Sequence, residues 1–389
     1  MKNFIVQTYF FLSFLAGNGQ TVELNEIGLL PQELEEVSGM VLIAPNRLLM
    51  INDSGNNPEF VVTDTLGKLI KVYPVKEVKN MDWEELAFDK TNQTLYVGDF
   101  GNNNSKRKDI AIHIFDITKL LTNSTYTFKG SITYTYAEQD GFPPPDKNLN
   151  FDMEAMVYIN DSLFLFSKNR TRPFDGYTYC YALPATAGNY IAERKGQYRT
   201  GIGLKESYWI AGAALNENGT ILALTGYDKL WVFSAFKGTH WFEGISQQFY
   251  YNHLSQKESL TFNGNKLLVA DEQWSDKGRK LYTVNLKDTK ELVPFDELPY
   301  TVDVVKKRFA DTITVTLNTE VYAKIYWEMF TTEGIREEYG KLGEVAPGTH
   351  TFKLDVSGAS HGGHVLNIIV NDRPNAFRLA KPLILKEER

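Results

Sequence analysis

From residue 22 onward the chain repeats one short pattern of apolar and polar positions. An apolar strand begins after a small or acidic residue, a tight turn follows, and a second apolar strand ends in a polar or acidic cluster. The first copy is EVSGMVLIAPNRLLMINDSG (36–55) and the second WEELAFDKTNQTLYVGDFGNN (83–103); others run over 153–170, 210–228 and 257–273. The turns PN, KTNQ, ND, NENG and NGN use residues that accept hairpin geometry. A third apolar strand follows each copy (PEFVVTDT, IAIHIFDI, GYTYCYAL, LWVFSAF, RKLYTVNL), and a more variable fourth can be read in several, such as TYTFKGSITYTYA. A hairpin cannot bury an apolar face alone, but four-stranded units arranged radially bury their faces on one another. The pattern therefore predicts an all-β chain whose main part is a β-propeller. Unrelated hairpins or stacked sandwiches are the competing reading, but they do not require the same polar cluster at each strand end. Five copies fit five large blades, or six with the last degenerate or closed by residues 22–35.

Near Pro299 the pattern changes to clean alternation, as in DTITVTLNTEVYAKIYWEMF and HGGHVLNIIVNDRP, which predicts a small β-sandwich. At 389 residues the chain exceeds the roughly 250–300 at which one core usually stops growing, so two domains are expected. We place a propeller at 22–298 and a sandwich at 305–389, with the boundary between 290 and 308. Residues 1–19 carry Lys2, an apolar run to Ala16 and then small and polar residues, the pattern of an export signal. A buried N-terminal strand is the alternative. Export predicts a secreted, cell-surface or periplasmic protein, and no later segment is apolar enough for a transmembrane span.

The formal charge is −7 and basic residues are scattered, which argues against nucleic acid as a partner. The single cysteine, Cys180, excludes an intrachain disulfide and a multi-thiolate metal site, and its strand context predicts a packed thiol. His361 and His364 are close in SHGGHV but lack a third ligand, so a loop role is expected for them. No GxSxG elbow or HExxH helix occurs.

Hairpin geometry puts the first strand's start beside the second strand's end. If the hairpins are the inner pair of each blade, Glu36, Asp82, Glu84, Glu85, Asp152, Glu154 and Glu258 meet Asp53, Asp99, Lys168, Asp228, Asp271 and Glu272 at one channel mouth. So many carboxylates need compensation, by a hard cation such as Ca²⁺ or by Arg107, Lys168 and Arg170. Solvated strand ends are the plain alternative. The candidate ligand-binding set is Asp53, Asp82, Glu84, Asp99, Arg107, Glu154, Lys168, Glu258 and Glu272. The candidate metal ligands are Glu84, Asp99, Glu154 and Glu258; catalytic residues are not identified.

The series EVSG at 36, NDSG at 52, DWEELA at 82, GDFGNN at 98 with Arg107, FDMEA at 151, SKNR at 167 and ESL at 258 resembles a family of bacterial secreted propellers. It is similar to the group containing SdiA-regulated and phytase-esterase-like propellers, over roughly residues 30–287. That family usually shows DWEDxA and GDxGDN, where this chain has Glu85 and Asn102. Residues 309–389, with IYWEMFTTEGIREEYGKL, APGTHTFKLDVSG and GGHVLNIIVN, resemble the sorting sandwich of Bacteroidetes proteins exported by the type IX route, without its usual YPNP-like opening. An adhesin-like or fibronectin-like module is the alternative. Three functions follow: a propeller binding an extracellular or periplasmic ligand or protein at its channel mouth, assisted by calcium; a metal-dependent phosphodiesterase or phosphatase; or a structural envelope protein.

Overall fold

The computed structural model describes residues 21–123, 125–201, 204–251, 253–274, 277–286, 299–305, 308–331, 336–371 and 373–382. The export segment expected at 1–19 and the boundary stretch 287–298 lie outside them. The described residues form two compact units.

In the first unit, β1 (Thr21–Val22) and β2 (Leu24–Leu29) precede five four-stranded blades. Blade 1 is β3 (Val37–Ala44), β4 (Arg47–Asn52), β5 (Glu59–Thr63) and β6 (Leu69–Pro74). Blade 2 is β7 (Trp83–Asp89), β8 (Thr94–Asp99), β9 (Ala111–Asp116) and β10 (Thr127–Tyr136). Blade 3 is β11 (Met153–Ile159), β12 (Ser162–Ser167), β13 (Tyr177–Pro184) and β14 (Gly188–Arg199). Blade 4 is β15 (Gly212–Leu215), β16 (Ile221–Thr225), β17 (Lys229–Ser234) and β18 (Ile245–Tyr251). Blade 5 takes β19 (Lys257–Asn263), β20 (Lys266–Asp271) and β21 (Lys280–Asn285), and its outer strand is β2.

The innermost strands pack in the order β3, β7, β11, β15, β19 and back to β3, so the ring closes with five blades, not six. β2, within the 22–35 segment expected to close the ring, pairs antiparallel with β21. β10 and β14 pair in parallel, so blades 2 and 3 share one eight-stranded sheet.

Five apolar clusters lie between successive blades, and strand period decides which residue joins which. On β4, Leu49 and Ile51 pack with Trp83 and Val97 of blade 2, whereas Leu48 and Met50 pack with Leu268 and Ala270 of blade 5. Both faces are buried, which is why RLLMIN and KLLVAD read as continuous apolar runs. Tight turns keep the strands short: Asn160 and Asp161, both at positive φ, form the two-residue connection from β11 to β12. Cys180 is buried on β13 as expected of a packed thiol, and burial pushes its pKa up.

Glu85 was grouped above with the mouth carboxylates, but the structure places it in the ring's interior at 0% exposure. Its Oε1 accepts the Leu86 N–H at 2.9 Å, its Oε2 accepts the Ala213 N–H at 3.0 Å, and Met40 donates a further backbone bond. One side chain thus ties blades 1, 2 and 4. Burial raises its pKa well above the usual value, against those three donors.

The second unit is a two-sheet sandwich. One sheet orders β22 (Tyr300–Val304), β23 (Thr312–Thr319) and β26 (Gly348–Asp355). The other orders β25 (Arg336–Val345), β24 (Ala323–Thr331), β27 (Gly362–Val370) and β28 (Arg373–Lys381). Alternate residues Ile313, Val315 and Leu317 on β23 and Ile325, Trp327 and Met329 on β24 build its core. The loop role expected for His364 is corrected: it is a strand residue, 1% exposed, with Nε2 at 2.8 Å from Glu337 Oε2. His361 turns instead to the Pro382 carbonyl.

Replacing Glu85 with alanine leaves three backbone donors without their acceptor. Each orphaned buried donor costs about 1–3 kcal/mol, so we expect Glu85→Ala to lower stability by about 3 kcal/mol or more, and Glu85→Gln by less. Urea unfolding of both variants measures this; a loss below about 0.5 kcal/mol in the alanine variant would remove Glu85 from its interblade role.

Candidate functional site

The inner strands begin, and the second strands end, at one side of the ring. On four of the five inner strands the first ladder pairs are interrupted by a bulge, at Val37/Gly39, Trp83/Glu85, Met153/Ala155 and Lys257/Ser259. The residues inside the bulges are Ser38, Glu84, Glu154 and Glu258. A bulge inserts one residue and re-aims its side chain. Three blades therefore deliver a glutamate to the mouth at equivalent positions, with 3%, 3% and 5% exposure. Blade 1 has Ser38, whose hydroxyl donates to the Trp83 carbonyl at 2.9 Å, and β15 of blade 4 pairs without a register shift.

Above these buried glutamates sit the half-buried Asp53, Asp82 and Glu272. Asp53 and Glu272 follow β4 and β20 directly, and their N–H groups donate to the carbonyls of Glu36 and Gln256. Lys168 follows β12 in the same way, bonded to the Asp152 carbonyl.

Lys168 organises one half of the mouth. Its Nζ lies 3.1 Å from Glu154 Oε2 and 3.6 Å from Glu258 Oε1, with the rings of Trp209 and Tyr227 at 5.4 and 5.5 Å. Tyr227 donates its hydroxyl to Glu258 Oε1 at 2.8 Å. Arg170 bonds Asp152 at 2.6 Å, Glu154 at 3.3 Å and Asn103, while lying over Trp209. Beside them Arg107 bonds Asp99 at 2.8 Å and the Gly101 carbonyl at 2.9 Å. Asp99 also faces His113 Nε2 at 3.4 Å.

The other half is different. One carboxylate oxygen from each of Asp53, Asp82 and Glu84 lies within 4.8 Å of the others. Glu84 has no hydrogen bond or ion pair among the described residues, although it is nine-tenths buried. Gly101 packs so close that a Cβ there would collide with the Glu84 and Asp82 carboxylates.

Burial pushes Asp53 up to about 7, raises Asp82, and lifts Glu84 well above the carboxylate range, with Glu154 adding to the last. Burial likewise takes Glu154 to about 8 and, with the Glu258 charge, Glu272 to about 10. Burial opposes the charge on Lys168, but Glu154 and Glu258 outweigh it and hold the ammonium well above its usual value. Asp99 goes the other way: burial would raise it, but hydrogen bonds from His113 and Arg107 hold it low.

The expected set therefore divides. Glu84 joins Asp53 and Asp82 as oxygen donors suited to a hard cation such as calcium. Glu154 and Glu258 share Lys168, and Asp99 is held by Arg107 and His113, so the four candidate metal ligands Glu84, Asp99, Glu154 and Glu258 do not meet at one point among the described residues. Two further residues from the strand ends turn away: Asp228 pairs with Lys229 at 2.9 Å, and Asp271 accepts from Tyr282 at 2.9 Å. Sequence reading missed Trp209, Tyr227 and His113. Only His113 leaves a trace, as the one polar residue inside the apolar run IAIHIF.

In an unfolded chain these carboxyls titrate near 4, whereas the folded mouth keeps protons to about 7 at Asp53 and about 8 at Glu154. Folding takes up protons across that window, so stability is highest at its acid end and falls as pH rises through it. Metal-free protein should melt at a lower temperature at about pH 8 than at about pH 5, and Glu84→Gln should reduce the difference. Melting curves without divalent ions check this; a Tm that climbs with pH would contradict it.

No known protein family matches the chain, and no curated protein matches it in sequence. Among solved structures, a protein from Lactobacillus plantarum is similar at 11% identity over 82% of this chain and 88% of that one, with a TM-score of 0.34. PorZ of Porphyromonas gingivalis, a bacterial surface component of the type IX secretion system, is similar at 11% identity over 90% of this chain, with a TM-score of 0.29. This chain matches about half, 51%, of the PorZ chain. At such scores neither neighbour bears on function, and the chain stands here as an all-β propeller and sandwich.

Proposed function

We propose that this protein is an exported propeller that binds a ligand at its channel mouth, with calcium held by Asp53, Asp82 and Glu84. The export part rests on the sequence of residues 1–19. The observation that carries the binding part is the Glu84 carboxylate: buried, without a hydrogen-bond partner among the described residues, and aimed at two further carboxylates. A buried charge left unpaired is costly, so the arrangement is tolerable when a proton or a cation joins it. Calcium accepts carboxylate oxygens in flexible geometry and leaves coordination positions for water or for oxygens of a ligand.

The hydrolase alternative needs positive charge directed at an anionic substrate. Lys168, Arg170 and Arg107 are instead each held by carboxylates of the chain itself, which favours binding over phosphoester chemistry. The structural-protein alternative makes Glu84 a contributor to stability, which its lack of partners argues against.

Calorimetric titration of the full chain with calcium tests the reading. We expect saturable binding accompanied by proton release, because raised carboxyls must lose protons to ligate. Glu84→Gln should weaken it at least by the roughly 10–100-fold that even an outer partner of a ligand is worth, with the fold intact. Absence of calcium binding in the parent protein would sink the cation site; equal binding by Glu84→Gln would move it away from the three carboxylates.

A further inference from the structure

The sandwich has an open side. β25 is an edge strand of one sheet and β26 of the other, and each pairs with a single neighbour, β24 and β23. A groove of about 360 Å³ is lined from both edges, with Trp327 of β24, Leu342 of β25 and Leu354 of β26 as its apolar part. Trp327 is 7% exposed, yet its indole N–H, which can only donate, has no acceptor among the described residues. Buried tryptophans normally find a partner for that group. The N–H lies against Gly340 of β25, where a Cβ would come within 2.6 Å of Nε1, so a side chain at 340 would close over the donor. Glycine leaves it open to the groove.

The polar groups around this donor are of both signs. Glu338 and Lys353 have no hydrogen bond or ion pair among the described residues. Asp355 is bonded by Ser357, whose N–H lies 3.0 Å from its Oδ1 and holds the carboxyl low. Two carboxylates beside an ammonium and an indole N–H oppose a ligand of either single charge. Hydroxyl groups suit them, because each hydroxyl both donates and accepts. An apolar lining with a few convergent polar groups is the composition of a small-molecule site. Tyr339 also lines the groove and is 59% exposed even with Arg336 over its ring at 4.7 Å. Addition of a peptide strand is disfavoured here. β25 shifts register against β24 at Ile325/Tyr326 and again at Met329/Phe330, and such bulges take an edge out of the regular ladder that an added strand needs.

We propose that the open side of the sandwich binds a pyranose unit of a neutral saccharide, whose hydroxyls bridge Glu338, Asp355, Lys353 and the Trp327 N–H while its C–H face covers Leu342 and Tyr339. A pyranose offers both things this lining asks for. Its rim of hydroxyls donates to the carboxylates, where hydrogen bonds are strong, and accepts from the two donors; its ring carbons present an apolar face. The inference depends neither on the channel mouth nor on calcium.

The full chain is titrated calorimetrically with maltotriose, cellotriose, mannotriose and chitotriose and with their monosaccharides. The controls are butyrate, butylamine and a blocked pentapeptide of alternating valine and threonine. We expect saturable binding of at least one saccharide, insensitive to added salt because the ligand is neutral, and weakened about tenfold in Glu338→Gln and in Trp327→Phe, which keeps the ring but not the N–H. Glu338→Gln and Lys353→Met alter side chains outside the core, so they decide the matter if Trp327→Phe does not fold. Preference for a trimer over its monosaccharide supports a unit within a chain, and equal affinity supports a free sugar. Failure of all the saccharides to bind would overturn the proposal, as would tighter binding of either ion or of the pentapeptide. Saccharide binding that survives the sandwich substitutions but is lost in Glu84→Gln would overturn it in favour of the mouth.

Discussion

Every blade of this propeller is apolar on both faces because each is packed between two others. Leu48 and Leu49 are adjacent in sequence, yet one belongs to the interface with blade 5 and the other to the interface with blade 2. Burial of such side chains at roughly 25 cal/mol per Å² supplies the driving force for ring closure. It also leaves polar groups few places to go. Inside the ring a buried carboxyl needs hydrogen-bond donors, as Glu85 has from three blades, whereas small hydroxyls such as those of Ser246 and Ser259 are buried there without a partner. The other carboxylates of the inner hairpins gather at strand ends and connections, so the mouth follows from the packing.

The same constraint explains what could be read in the sequence. Two-faced burial writes continuous apolar runs, and the turns between them need residues such as Asn160 and Asp161, so the hairpins were visible. The blade number was not, because the closing strand β2 comes from the other end of the propeller sequence and carries no copy of the hairpin. The mouth residues were legible as a class, since strand ends meet in any hairpin. Their grouping was not. A bulge of one residue separates the fates of Glu84 and Glu85: the first is aimed into the mouth and the second into the ring's interior. Nothing in the letters WEEL reports that register shift. Likewise Asp99 is diverted by His113, which pairs with it from the neighbouring strand β9.

Electrostatics in the mouth follow from depth. Placing glutamates on the innermost strands removes them from water, and their neighbours then decide whether each stays charged. Where Lys168 lies between Glu154 and Glu258, charge is balanced within the protein. Asp53 and Glu84 have no ion pair among the described residues and Asp82 has only a 4.0 Å contact to Arg107, and burial favours the protonated forms of all three. The two halves of one mouth thus differ in what they would accept, although their backbones are near repeats.

That difference bears on the kind of ligand a five-bladed ring can select. Identical blades would present a symmetric collar of charge, suited to an ion on the axis. Here blades 2, 3 and 5 supply the buried glutamates, blade 1 substitutes Ser38, and blade 4 presents Trp209 and Tyr227 against the Lys168 ammonium instead of a carboxylate. Tyr227 in turn orients Glu258 through its hydroxyl, and Lys257, wholly buried, fixes the Tyr227 main chain by donating to its carbonyl at 2.9 Å. The aromatic side of the mouth is therefore tied to blade 5, while of Asp53, Asp82 and Glu84 on the other side only Asp82 has an ion pair among the described residues, at 4.0 Å to Arg107. An off-axis site of this kind distinguishes one end of a ligand from the other.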